Sequence, residues 1–311
     1  MSSNFLGIDT SNYTTSVAQY FLNGTVRQAK KLLPVKVGER GLRQSDAVFH
    51  HVRQLPEVFC KLDFDEKFYA VGASTRPRDE DGSYMPCFGV GASFGRTLAH
   101  ALNVPFYEFS HQAGHIVAAL YSAKRLDLLE QKFIAFHVSG GTTEAVLVSP
   151  SQENIIRTQI VAQTLDLNAG QLVDRVGIML GLKFPAGAEL EKLALCCGEK
   201  FKVRPTLKGA NCCLSGVENL CVKMKQTGAQ AEQVARFCLE FVAATLGKMC
   251  DNVLSEYGEV PVLFAGGVMS NSIIKQRLAG KFKAIFGDPS FSSDNAAGVA
   301  ILAAMKAGEL S

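Results

Sequence analysis

Apolar positions fall into two successive blocks, each opening with short strand-like runs and continuing as alternating helix and strand patterns. In the first block Leu6–Asp9, Ser16–Phe21 and Thr25–Leu33 read as three strands. The Asn23-Gly24 dipeptide before the last run is a hairpin signal, since both residues accept left-handed backbone. Helical spacing of Val48, Val52, Leu55 and Val58 predicts a helix over 45–62, followed by a strand from Phe68 to Gly72 and a helix over 91–102. The run Val104–Phe109 reads as a strand, with Ser110 as the N-cap of a helix that follows it. The pattern then begins again. Strands are expected at 133–138, 143–149 and 155–161, helices at 170–180, 189–196 and 231–257, a strand at 260–264, a helix at 270–278, a strand at 283–286 and a final helix at 294–307.

Three strands, helix, strand, helix, strand and helix thus occur twice, which is the scale of a duplicated domain and not of a solenoid. This order is that of the actin-like ATPase (ribonuclease H-like) fold. It predicts an α/β protein of two subdomains, 1–127 and 128–311, around a nucleotide-binding cleft. The 311 residues suit two domains, and the composition, 47% hydrophobic and 20% charged, is that of an ordinary globular chain. A net charge of +3 neither requires nor excludes a polyanionic partner. With no apolar run near ~20 residues and no signal-like N-terminus, a cytoplasmic protein without a membrane partner is expected. The nine cysteines, two pairs of them adjacent, show no zinc or redox spacing and are expected to be free thiols.

Chemistry enters at four places. His111 and His115 stand one helical turn apart and would present both imidazoles from one face. Spacing alone leaves open a metal-binding pair, or one core and one surface histidine. Ser139-Gly140-Gly141-Thr142 after one strand and Ala265-Gly266-Gly267 after another are glycine breaks, one per repeat, where backbone N–H groups could meet an anion. Asn271 follows the second and could read a base or ribose edge. Asp174 falls on an otherwise apolar helical face, where ribose hydroxyls, Arg175 or a backbone cap could each partner it.

The ordered set His-x-x-x-His, Ser-Gly-Gly, Asp174, Pro185-x-Gly187, Leu214-Ser215-Gly216, Gly266-Gly267-Val-x-x-Asn271 and Ser293-Asp294-Asn295-Ala296-Ala297 resembles the TsaD family over nearly the whole chain. The family was once named for a glycoprotease activity and transfers threonylcarbamoyl to adenosine in tRNA. The resemblance implies an acyltransferase that uses one divalent metal ion, iron or zinc, held by His111, His115 and Asp294. His137, where archaeal-type relatives carry a tyrosine, is a possible further ligand. It also implies an adenine nucleotide or threonylcarbamoyl-adenylate held by Val138, Ser139, Gly140, Gly141, Thr142, Asp174, Gly187, Gly266, Gly267 and Asn271. The expected partners are tRNA or another acceptor, and the other subunits of the threonylcarbamoyl-adenosine assembly. Departures from the pattern fall at Asn12–Thr15, where bacterial relatives have Cys-Asp-Glu-Thr, at Thr142, and at Thr75–Asp81, which replaces a Gly-Pro-Gly loop. A non-catalytic nucleotide-binding subunit of that assembly, and carbamoyl transfer to a different acceptor, are the alternatives. An actin-like sugar or acetate kinase would leave the histidines idle. A metalloprotease needs a general base beside the metal, and Gln112, in the place of that glutamate, cannot take a proton. No cysteine is expected to act as a nucleophile.

Overall fold

The computed structural model describes residues 4–11, 13–34, 42–63, 67–291 and 296–310. Two compact units divide it: Met1–Glu130 with Ser149–Thr158 and Ser290–Ser311, and Gln131–Val148 with Gln159–Pro289.

In the first unit β1 (Asn4–Asp9), β2 (Thr14–Phe21) and β3 (Val26–Leu32) form an antiparallel meander. The predicted Asn23-Gly24 turn closes β2 on β3, with Gly24 at φ +85°. Then come α1 (Gln44–Phe59), β4 (Phe68–Arg76), α2 (Phe88–Leu102), β5 (Phe106–Ser110) and α3 (His111–Ser122). Strands β4 and β5 add in parallel, giving the order β3-β2-β1-β4-β5. Every residue of β1 and β2 is buried, as strands covered on both faces require, whereas the edge strand β3 carries Arg27, Lys30 and Lys31 and is largely exposed.

The second sheet repeats this order as β12-β11-β6-β7-β8. It is built from β6 (Phe133–Val138), β7 (Thr143–Ser151), β8 (Ile155–Gln163), β11 (Val262–Ala265) and β12 (Ala284–Phe286). Around it are α4 (Ala169–Met179), α5 (Gly187–Leu195), the hairpin of β9 (Leu207–Lys208) and β10 (Asn211–Cys212), α6 (Ser215–Gln226), α7 (Ala231–Tyr257) and α8 (Ser272–Ala279). The matching strand order is that of an actin-like ATPase fold in two subdomains. Helix α7 supplies the core of the second unit through Val234, Cys238, Phe241, Val242, Leu246, Met249 and Val253, the stripe its periodicity predicts.

The last helix, α9 (Ala297–Lys306), is grouped with the first unit and lies on its sheet. At Gly7 an added Cβ would sit 2.4 Å from the Ala296 carbonyl oxygen, so β1 meets the start of α9 backbone to backbone. A Cβ at Gly298 would sit 1.9 Å from the Gly114 carbonyl oxygen, so α9 and α3 cross at equally short range. Only glycine permits either contact.

Two glycine-turn and histidine sites

Within the first unit, Ser110 caps α3 as its sequence predicts: its Oγ accepts from Ala113 N at 3.2 Å. The first turn then presents His111 and His115 together, with their Nε2 atoms 2.9 Å apart. His111 Nδ1 lies 2.7 Å from Oδ2 of Asp9, which ends β1. Asp9 is fully enclosed; its carboxylate also accepts from Ser11 N at 2.9 Å and from Ser74 Oγ at 2.5 Å. Burial alone would raise the Asp9 pKa, but the His111 charge and hydrogen bond, with those of Ser11 and Ser74, hold it below the usual carboxylate range. The Asp9 carboxylate holds a proton on Nδ1, so that when His111 is neutral its Nε2 lone pair faces His115. This is the arrangement that outer partners impose on metal-binding imidazoles.

The histidine pair therefore fits a divalent ion, with Asp9 as its outer support. Among the described residues no group of three or more His, Cys, Asp or Glu side chains could hold a metal. Asp294, and Asn12 of the departing first turn, lie outside the described residues. His137 is on β6, half-buried, in register with Glu144 and Ala265. Gln112 Oε1 accepts from Thr158 Oγ1 at 2.8 Å.

The loop after β4 is fastened to the same helix start. Asp79 takes Arg76 Nη2 at 2.6 Å on one oxygen and Ser110 Oγ at 3.0 Å on the other, while Pro77 O accepts from Gln112 N at 3.1 Å. This acidic loop thus secures the N-terminus of α3. Neither Asp9 nor Asp79 was flagged by spacing. The signals available were a carboxylate closing a wholly buried strand and an Arg-x-x-Asp pair.

Within the second unit a cavity of about 370 Å³ gathers Gly140, Asp174, Gly187, Gly267 and Asn271 on its wall, with Glu191 and Ser270. Val138, Ser139, Gly141, Thr142 and Gly266 are not on that wall. Val138 is buried, and its carbonyl oxygen would lie 2.3 Å from a Cβ at Gly266, whose φ is +102°. Gly266 is thus a packing requirement of β6 against the turn after β11.

In the Ser139–Thr142 turn, Ser139 N donates to Thr142 O at 2.7 Å. Ser139 Oγ accepts from Gly141 N at 3.3 Å and Thr142 N at 3.1 Å, so both amides converge on one oxygen, which an anion would have to displace. A Cβ at Gly170, in the first turn of α4, would lie 2.6 Å from Gly140 N, so α4 rests directly on this turn. By contrast a Cβ at Gly140, Gly141 or Gly267 would meet nothing within 4 Å. The fold does not need glycine at these three positions, and what their bareness leaves open is room for a ligand.

Asp174 is half-buried, not enclosed, and its Oδ1 accepts from Ala186 N at 2.8 Å, joining α4 to the turn before α5. Glu191 Oε1 accepts from Ser272 N at 2.7 Å and from Ser272 Oγ. The other oxygen of each carboxylate has no hydrogen bond among the described residues. Asn271 is the N-cap of α8, its Oδ1 accepting from Ile273 N and Ile274 N, both at 3.1 Å. Its acceptor is committed and only its amide N–H groups are left for a ligand. Glu191 was missed in the sequence, although it stands one helical turn after Gly187. Burial raises the thiol pKa of Cys212 to about 11 and of Cys250 to about 12, which suits neither to nucleophilic attack.

The duplicated sheet defines a protein of the actin-like class, with an open glycine-lined cavity in one unit and a carboxylate-oriented histidine pair in the other. Comparison narrows it. The family model described as "TsaD: tRNA N6-adenosine threonylcarbamoyltransferase" matches residues 82–301, and the chain belongs to that family, whose activity is that of a transferase. It is 26% identical over 245 residues to the tRNA N6-adenosine threonylcarbamoyltransferase of Methanopyrus kandleri, covering 76% of this chain and 67% of the relative. It is also 26% identical to a probable bifunctional tRNA threonylcarbamoyladenosine biosynthesis protein of Thermoplasma volcanium, covering 95% of this chain and 55% of the relative. Full-length HypF, crystallised in a phosphate- and nucleotide-bound form, superposes with a TM-score of 0.60 at 14% identity, covering all of this chain and 47% of that one. The chain thus spans about half the length of the bifunctional relative and of HypF. Among the described residues no helix is long and apolar enough to cross a membrane.

Proposed function

We propose that this protein transfers a threonylcarbamoyl group from an acyl-adenylate to the amine of an adenosine in tRNA, in the cytoplasm and with the aid of partner subunits. The observation that carries this reading is the family match over 82–301, which spans the histidine helix and the whole cavity. The cavity suits the adenylate part of the donor. Two carboxylates, Asp174 and Glu191, each keep an oxygen for sugar hydroxyls, and charged acceptors make the stronger hydrogen bonds. Bare backbone at Gly140 and Gly267 lets a phosphate approach without meeting a Cβ. His111 and His115, with Asp294, would hold the divalent ion, iron or zinc, and Asp9 keeps the His111 ring in its ligating tautomer. Such an ion when bound stabilises developing negative charge on substrate oxygens.

In the reaction the acceptor nitrogen forms a bond to the carbamoyl carbon, the bond from that carbon to the phosphate oxygen breaks, and AMP departs with its electron pair. The amine proton is lost to solvent. AMP is a good leaving group, so no covalent enzyme intermediate is required, in keeping with thiols held protonated by burial. The Asp79 loop, tied to the start of α3, is the element of this chain that would set which acceptor enters.

The test is direct. Protein, divalent metal and threonylcarbamoyl-adenylate are incubated with unmodified tRNA, with and without partner subunits, and the nucleosides are analysed. Modified adenosine is expected in at least one arm, and it disappears, together with bound metal, in the His111→Ala/His115→Ala variant. Absence of product in both arms, with the adenylate bound, leaves transfer to a different acceptor or a non-catalytic binding subunit.

A further inference from the structure

Between α5 and α6 the second unit carries a stretch that none of this chemistry uses. From Phe201 to Lys208 exposure alternates strictly: Phe201, Val203, Pro205 and Leu207 face inward, and Lys202, Arg204, Thr206 and Lys208 face solvent. Alternation with period two is the signature of extended chain. The inner side is anchored. The Phe201 ring packs edge-on against Phe237 with centroids 5.7 Å apart, Val203 and Leu207 rest on the core, and Phe201 N donates to Glu240 Oε2 at 3.0 Å. Glu240 is itself buried within α7 and braced by Arg236 Nε at 2.8 Å, so the strap is fixed to the longest helix of the unit.

The outer side is cationic. With Lys200, also exposed, it offers four cations, the Thr206 hydroxyl and no carboxylate; the nearest acid in sequence, Glu199, accepts from Gln233 Nε2 at 2.7 Å. None of Lys200, Lys202, Arg204 and Lys208 forms an ion pair or side-chain hydrogen bond with a described residue. Some exposed cations elsewhere are paired, as Lys31 with Glu57, Arg125 with Asp127 and Lys192 with Glu189. A charged edge meant only for solubility would mix signs. Here Lys208 lies two steps beyond Arg204, and Lys200, Lys202 and Arg204 stand at every second residue, about 6.6–6.8 Å apart along extended backbone. That is close to the step between neighbouring phosphates on a stretched nucleic-acid strand.

We propose that the strap Lys200–Lys208 is a binding strip for the phosphate backbone of RNA. The inference rests on the reading of tRNA as acceptor and adds to it where, on this chain, the polyanion is held. Such contacts position an RNA without reading its sequence. A membrane surface is the less fitting polyanion, because the exposed side carries no apolar residue to enter lipid.

The experiment measures binding of a fluorescently labelled, unmodified tRNA transcript across a salt series. It compares wild type, the strip variant Lys200→Gln/Lys202→Gln/Arg204→Gln/Lys208→Gln, and a control losing four exposed lysines elsewhere, Lys61→Gln/Lys67→Gln/Lys124→Gln/Lys132→Gln. Since each phosphate contact contributes roughly 0.7–0.9 to the slope of log K against log salt, the strip variant is expected to lose about 3 from the slope and at least about tenfold in affinity at moderate salt. The control should change little, and both variants should keep wild-type thermal midpoints. Equal loss in strip variant and control, or no loss in either, overturns the proposal. So does a strip variant that loses only its binding to phosphatidylserine vesicles. Wild type that binds no RNA overturns it too, and the transfer assay then decides separately whether the enzymatic reading stands. Strip-dependent RNA binding without transfer product sustains the strip and removes that reading.

Discussion

His51 shows how one side chain can carry a measurable consequence for the whole molecule. It is wholly buried in α1, with Nδ1 2.8 Å from Thr15 Oγ1. Gln54 Nε2 donates to Leu32 O at 3.1 Å, which turns Gln54 Oε1 toward Thr15 to accept its hydroxyl proton, also at 3.1 Å. Thr15 Oγ1 therefore accepts from His51 Nδ1–H, and Nε2 of His51 keeps a lone pair with no partner. Burial, countered by the Asp9 charge and reinforced by His50, depresses the His51 pKa to about 4. Below its ordinary value near ~6.5 the unfolded chain binds a proton that the folded chain refuses. Stability is expected to fall as pH drops from about 6.5 toward 4 and to level off below that. His51→Asn, whose amide N–H replaces the Nδ1 donor and does not titrate, should flatten that part of the curve in urea titrations run at successive pH values. An unchanged slope would show that another group titrates there.

At the scale of elements, the glycines separate into those the packing of the chain needs and those it does not. Gly170 and Gly141 belong to touching pieces, the start of α4 and the turn after β6. Yet a Cβ at Gly170 strikes backbone at 2.6 Å while one at Gly141 strikes nothing. Gly170→Ala is expected to push α4 off the turn at a cost of about 1–3 kcal/mol, the usual range for overpacking. Gly140→Ala, equally free of neighbours but on the cavity wall, should leave stability within about 0.5 kcal/mol and weaken nucleotide binding. Thermal melts and calorimetric titration with AMP measure the two effects independently.

Legibility in the sequence follows the same division. The His111 and His115 face was readable because helical spacing and the Ser110 cap are local. Asp9 was not, because it lies 102 residues from His111 and meets it only through the parallel placement of β1, β4 and β5. The tie from Glu191 to Ser272 spans 81 residues and was hidden likewise. The hairpin of β9 and β10 escaped because strands of two residues leave no periodicity to read. Helix α6 escaped because its first residues were read as a motif.

For the whole molecule, the grouping of α9 with the first unit makes β1 and a helix far from it in sequence interdependent. The helix buries Val299, Ile301 and Leu302, meets Gly7 through backbone alone, and has its entry fixed by Ala296 N donating to Ser16 Oγ at 2.9 Å. A chain stopped after residue 295 should therefore show a protease-labile first unit and a resistant second one, read by limited digestion and mass mapping. Uniform resistance would mean that the first sheet is complete without its last helix. The same contact sets an order in time. During synthesis the ribosome delivers β1 well before the helix that covers it, so this strand must wait, exposed or chaperoned, while the second unit can already be folded.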